Sequence, residues 1–168
     1  MPTPIGHALG GLLVGRVAGP ANAATGLTAR LYWCIGAACL PDIDFLWGRH
    51  NMETHSLGFA LAIGVLAFAW KRDVRLALAV TLAVASHVLF DWLGSDDSPP
   101  LGVMALWPLS SEFFFANAFV FDAISRRYWL PGFFRHNLLA VLRELAILLP
   151  ILALAWWPQR RRVLTRGQ

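Results

Sequence analysis

Apolar residues fall into five runs along the chain, at 5–18, 27–40, 57–70, 74–93 and 138–157. A membrane-spanning helix needs about 17–25 apolar residues. The fourth and fifth runs meet that length, so both are predicted to span. The first three fall short and are predicted as short or tilted helices, or as helices whose outer ends leave the hydrocarbon early. The breaks are physically sensible. Gly19-Pro20 ends the first run and Pro41 the second, Thr54 or Ser56 is placed to cap the third, and Asp73 is a good N-cap for the fourth. A long mixed stretch separates the last two runs, with an acidic, proline-rich turn at 95–100 and an aromatic run at 113–121. In the first run Gly11, Gly15 and Gly19 repeat every four residues, the small-residue pattern that lets helix backbones approach closely in lipid. His7 lies on that same face and therefore points into the bundle.

Composition turns this pattern into a class. The 168 residues suit a single domain, 1–168, with motifs concentrated in 6–108 and a basic tail at 158–168. Hydrophobic residues make up 57% and charged residues 14%, against about 45–50% and about 25% in soluble domains. Mean hydropathy is +0.55. So few charges cannot cover a solvated surface, which excludes a soluble monomer and a disordered chain. Net charge is only +4, and the basic residues cluster in short stretches between apolar runs, as in membrane-protein loops. No nucleic-acid partner is expected; membrane lipid is. The predicted fold class is all-α, an integral membrane bundle of four to five short transmembrane or membrane-embedded helices. Cys34 and Cys39 are read as small buried hydrophobes.

Basic residues also orient the bundle. With one consistent weave, Arg16, Arg30, Lys71, Arg72, Arg75, Arg160, Arg161, Arg162 and Arg166 fall on one side, which is assigned as cytoplasmic together with the C-terminus. Arg49, Arg126, Arg127 and Arg135 dissent. On the same weave, His7, Asp42, Asp44, His50, Glu53, His55, His87 and Asp91 gather at the opposite end. Ionisable groups at membrane depth are expensive and point to function.

His87 and Asp91 are spaced i, i+4 and share one helix face. They can ligate one metal ion, bracket two, or bridge helices as a hydrogen-bonded pair. Asp42 and Asp44 cannot share a helical face, but Pro41 ends the helix before them, so both can turn inward from a loop. One can then ligate a metal while the other fixes a neighbouring histidine; the alternative is helix-end chemistry. His55 is the best ligand candidate of its stretch, with Thr54 and Ser56 as caps or hydrogen-bond partners. His50 and Glu53 are ligands, supporting groups or loop residues. His7 is a ligand or a satisfied core histidine, and His136 an interfacial residue. Arg143 and Glu144 are expected to compensate each other inside the fifth helix. Imidazole and carboxylate ligands suit zinc first, then manganese or iron. Such ions generate hydroxide from water at neutral pH, which makes metal-assisted hydrolysis the natural chemistry.

The ordered set Gly6-His7, Pro41-Asp42-Ile43-Asp44, His50 with Thr54-His55-Ser56, His87-Val88-Leu89-Phe90-Asp91 and Gly102-Val103-Met104-Ala105-Leu106-Trp107-Pro108 resembles the YdjM-type family of membrane-bound metal-dependent hydrolases. The resemblance implies an all-helical protein of a bacterial inner membrane. That family also looks distantly similar to zinc-dependent phospholipases C and P1-type nucleases. By that similarity His7, Asp42, His55, His87 and Asp91 would be metal ligands, with Asp44 and His50 in support. Asp44 or Glu53 would orient or deprotonate the attacking water. The family often has His-Arg at its third motif; here Asn51 follows His50 and Arg49 precedes it, which leaves the substrate class open. The expected activity is zinc-dependent hydrolysis of a phosphoester or lipid-linked substrate. The alternative is a transporter or assembly factor whose His/Asp cluster relays protons or ions.

Overall fold

Capping residues set where the helices begin. In the computed structural model, which describes residues 1–18, 26–47, 50–97 and 99–164, the Thr3 hydroxyl accepts from the Gly6 amide and opens α1, Pro4–Val17. α2 spans Leu27–Cys39. Ser56, the second of the two expected caps, accepts from the Phe59 amide at 3.0 Å and starts α3, Leu57–Lys71. Arg72 then takes a left-handed φ of +53°, and the Asp73 carboxylate accepts from Arg75 and Leu76 to start α4, Val74–Leu93. α5, Phe133–Leu164, is longer at both ends than its apolar run. The Gly19-Pro20 break, Arg49 and the side chains of the basic tail 158–168 lie outside the described residues.

Pro41 does not release the chain into a loop. The backbone tightens into a 3-10 helix, Leu40–Trp47, where a proline in the first turn costs no hydrogen bond. At about three residues per turn, Asp42 and Asp44 point in directions roughly 120° apart. This corrects the loop expected there and decides how the two carboxylates are used.

Small residues bring the helices together. A Cβ at Gly11 would overlap the Cys34 carbonyl, and one at Gly15 would press on Leu31, so α1 and α2 run antiparallel at close range. Gly64 meets Thr81 in the antiparallel α3–α4 pair. α4 packs on α1, α2 and α3, and the buried core between them is built from Cys34, Ala38, Ala79, Val80, Ala83 and Val84. α5 lies parallel to α1. Glu144 accepts from Thr3 at one end of that contact, and Arg16 stacks over Trp156 at the other. Leucines at 61, 66, 138, 142, 149 and 154 remain exposed around the outside, an apolar surface far larger than soluble proteins carry. Among the described residues two helical stretches are long and apolar enough to cross a membrane, Val74–Leu93 and Phe133–Trp157.

The stretch between α4 and α5 folds back over one end of the bundle. Isolated bridges join Gly94 to Phe121 and Val103 to Phe114. The carbonyls of Ala105 and Trp107 accept from the Leu57 and Gly58 amides, two donors that a helix start otherwise leaves unpaired. Gly102 sits at φ +90°, and a Cβ there would overlap the Phe114 carbonyl. Glycine is required on both counts. The weave thus places the start of α1, the end of α2, the start of α3 and the end of α4 together beneath this cover.

Candidate metal centre

Four elements each deliver one part of a buried cluster. His7 projects from the first turns of α1, Asp42 and Asp44 from the 3-10 helix, His55 from the turn before α3, and His87 with Asp91 from the last turns of α4. Asp91 lies at the centre. One carboxylate oxygen is 3.3 Å from His7 Nε2; the other is 3.0 Å from His87 Nε2 and 3.4 Å from His55 Nε2. Asp42 Oδ1 closes the group at 3.8 Å from both His55 Nε2 and His87 Nε2. The His7 and His87 rings stack with centroids 3.6 Å apart. His7, His55, His87 and Asp91 are almost fully buried, whereas Asp42 is 20% exposed and forms the open side.

Hydrogen bonds on the outer atoms fix which atoms face inward. His87 Nδ1 lies 2.7 Å from the Ala38 carbonyl, which can only accept, so that nitrogen donates and Nε2 is the atom that faces the cluster. His55 Nδ1 donates to Asp44 Oδ2 at 3.1 Å, which turns its Nε2 toward the cluster. The other Asp44 oxygen accepts from His50 Nδ1 at 2.9 Å, and Thr54 donates to Asp44 at 3.0 Å. Asp44 therefore holds two histidines in place.

Burial works against ionisation of both 3-10 aspartates. The partner histidines outweigh it, His55 foremost for Asp42 and His50 with His55 for Asp44, so both carboxyls stay below their ordinary range. Burial likewise opposes charge on His55, but the pull of Asp42 and Asp44 prevails and raises it to about 9.

The inward atoms face one another and make no hydrogen bond with the rest of the protein. His55 Nε2, His87 Nε2 and both Asp91 oxygens are buried and accept or donate no hydrogen bond. Burying such groups unpaired is costly, and a coordinated cation is the usual resolution. Their spacing fits one. Four ligands at about 2.0–2.2 Å around a tetrahedral ion stand about 3.4 Å apart, and the contacts of His55 Nε2 and His87 Nε2 with the carboxylates of Asp42 and Asp91 run from 3.0 to 3.8 Å. Two groups can hold a metal ion: His7, His87 and Asp91, and beside it Asp42, His50 and His55.

All five residues expected as ligands are thus brought together, with Asp44, His50 and Thr54 behind them. Ser56 works as the α3 cap, and the Glu53 side chain belongs to neither group. His136 lies apart, 2.7 Å from the Ala123 carbonyl. Arg143 and Glu144 do not compensate each other, because consecutive helical positions diverge by about 100°. Arg143 binds Asp122 at 2.7 Å, while Glu144 accepts from the Thr3 amide at 2.6 Å and hydroxyl at 2.5 Å. Phe45, which stacks on His50 at 3.9 Å, has no signal in the sequence beyond its nearness to Asp44.

The fold and its cluster define an integral membrane protein with buried histidine and aspartate groups able to hold a metal ion. The description can be made narrower. The chain belongs to the YdjM inner membrane protein family, whose model matches residues 1–163. No curated protein and no solved structure matches it.

Proposed function

We propose that this chain is a metal-dependent hydrolase of the inner membrane that cleaves a phosphoester in a lipid or lipid-linked substrate. The carrying observation is the set of buried, inward-facing ligand atoms on His55, His87 and Asp91 that make no hydrogen bond. Imidazole with carboxylate favours zinc, and His7, Asp42, His55, His87 and Asp91 would hold it. A bound divalent ion of this kind lowers the pKa of water to about 7 and polarises an ester oxygen.

The remaining work falls to the protein's own residues. Asp44 spends both oxygens on His50, Thr54 and His55, so it positions ligands. Glu53, in the same turn as Thr54, is assigned as the acid–base group. It takes the proton of the attacking water as the new P–O bond forms, and returns it to the leaving oxygen as the ester bond breaks. Substrate arrives at the open side, where a cavity of about 290 Å³ is lined by Asp42, Phe45, His50 and Arg126. The basic residues at the opposite end of the helices support a cytoplasmic C-terminus and a site facing away from the cytoplasm.

Metal analysis of the protein purified in detergent tests the reading. Stoichiometric zinc is expected in the wild type and its loss in His87→Ala, together with hydrolysis of bis(4-nitrophenyl) phosphate that Glu53→Gln abolishes without changing metal content. Equal metal content in wild type and His87→Ala would overturn it. Ion flux in proteoliposomes that Asp91→Asn abolishes would favour a transporter instead.

A further inference from the structure

The cover between α4 and α5 sets one arginine against the open side of the cluster. The Arg126 guanidinium carbon lies 4.1 Å from the Phe45 ring centre. Phe45 in turn stacks on His50, and His50 is hydrogen-bonded to Asp44, so the cation is stacked on the network that holds His55. Arg126 lines the cavity that reaches Asp42, and it also lines a second cavity of about 400 Å³ that it shares with Arg127, Asp96 and Asp97. Neither guanidinium has an ion-pair partner among the described residues, whereas Arg143 is paired with Asp122.

A guanidinium held over an aromatic ring by its central carbon still has N–H donors to offer, and their fork matches two oxygens of a phosphate. In the cavity that reaches Asp42, that carboxylate faces the metal ligands, and Arg126 is the one cationic side chain besides His50 among the described lining residues. We propose that Arg126, supported by Arg127, is an anion subsite that seats the phosphate of a phosphoester head group beside Asp42. This rests on the hydrolase reading above and adds to it the group that recognises the substrate.

Calorimetric titration of the full chain in detergent, zinc-loaded and again after chelation, tests the subsite directly. The probes are inorganic phosphate and the short-chain lipid dihexanoylphosphatidylglycerol. Arg126→Gln should weaken binding of the phosphate-bearing probe about tenfold or more, the scale of a charge-assisted bidentate contact. Zinc content and helical circular dichroism should be unchanged. Arg126→Lys should fall between, because it keeps charge but loses the fork. Arg135→Gln, a charge outside the cavity, should match the wild type. Tighter binding of the lipid than of phosphate assigns the subsite to a head group, and equal binding to the phosphate group alone; both support an anion site. Unchanged affinity in Arg126→Gln, or an equal loss in Arg135→Gln, overturns it. A wild type that retains no zinc defeats the metal reading alone, since dependence on Arg126 is still read in the chelated protein.

Discussion

Replacing Asp44 by Asn keeps the size of the side chain and removes its charge, which isolates what the carboxylate does for the two histidines behind the cluster. Three donors converge on it: His50 at 2.9 Å, His55 at 3.1 Å and Thr54 at 3.0 Å. A carboxamide has one acceptor oxygen and presents N–H donors in place of the other. At most one histidine keeps its partner, and the other meets a donor. Losing one charge-assisted hydrogen bond costs about 1.5–3 kcal/mol, and loss of such an outer partner typically weakens metal binding by about 10–100-fold. Zinc affinity measured by competition with a chromophoric chelator should fall within that range for Asp44→Asn, while circular dichroism stays that of the wild type. Affinity within twofold of wild type would refute the argument that Asp44 orients the ligands.

Three further expectations follow from other parts of the molecule. Zinc needs His55 without a proton on Nε2, and in the metal-free protein His55 lies at about 9, so zinc must displace a proton below that pH. Affinity should therefore rise about tenfold per pH unit between 7 and 9 and then level off, as read by titration in buffers of different ionisation enthalpy; a flat profile contradicts it. Glu144→Leu strands the Thr3 amide and hydroxyl in a buried position at a cost of about 1–3 kcal/mol. It should lower the thermal midpoint in detergent and reduce metal content through His7, with Glu144→Gln milder on both. Gly11→Val forces its side chain onto the Cys34 carbonyl and should destabilise by about 1–3 kcal/mol, whereas Gly36→Ala, which meets nothing within 4 Å, should leave the midpoint unchanged.

Much of the bundle was readable because helix periodicity is a local property. The α4 boundaries and the Asp73 cap follow from one apolar run and one residue type. The i, i+4 spacing of His87 and Asp91 placed both on one face before any tertiary contact was known. The 3-10 geometry after Pro41 was not readable, since proline there is equally compatible with a loop. That geometry is what lets Asp44 reach one nitrogen of His55 while Asp42 faces the other. The α4–α5 cover has no period, so the approach of Arg126 to Phe45 left only the trace of a basic pair on the wrong side for orientation. The pairing of Glu144 is hidden from the sequence for a related reason. Its partner Thr3 is 141 residues away, and the adjacent Arg143 looked like the nearer answer.

That long-range bond also bears on the order in which the protein is made. Every proposed ligand has been synthesised once residue 91 is added, yet Thr3, which caps the turn that carries His7, gains its carboxylate partner only when residue 144 has followed. The last helix is therefore a latch on the first. A chain truncated before α5 would carry the full set of ligands with the Thr3 cap behind His7 left without its carboxylate, and the site would be completed when the final span is inserted beside the first.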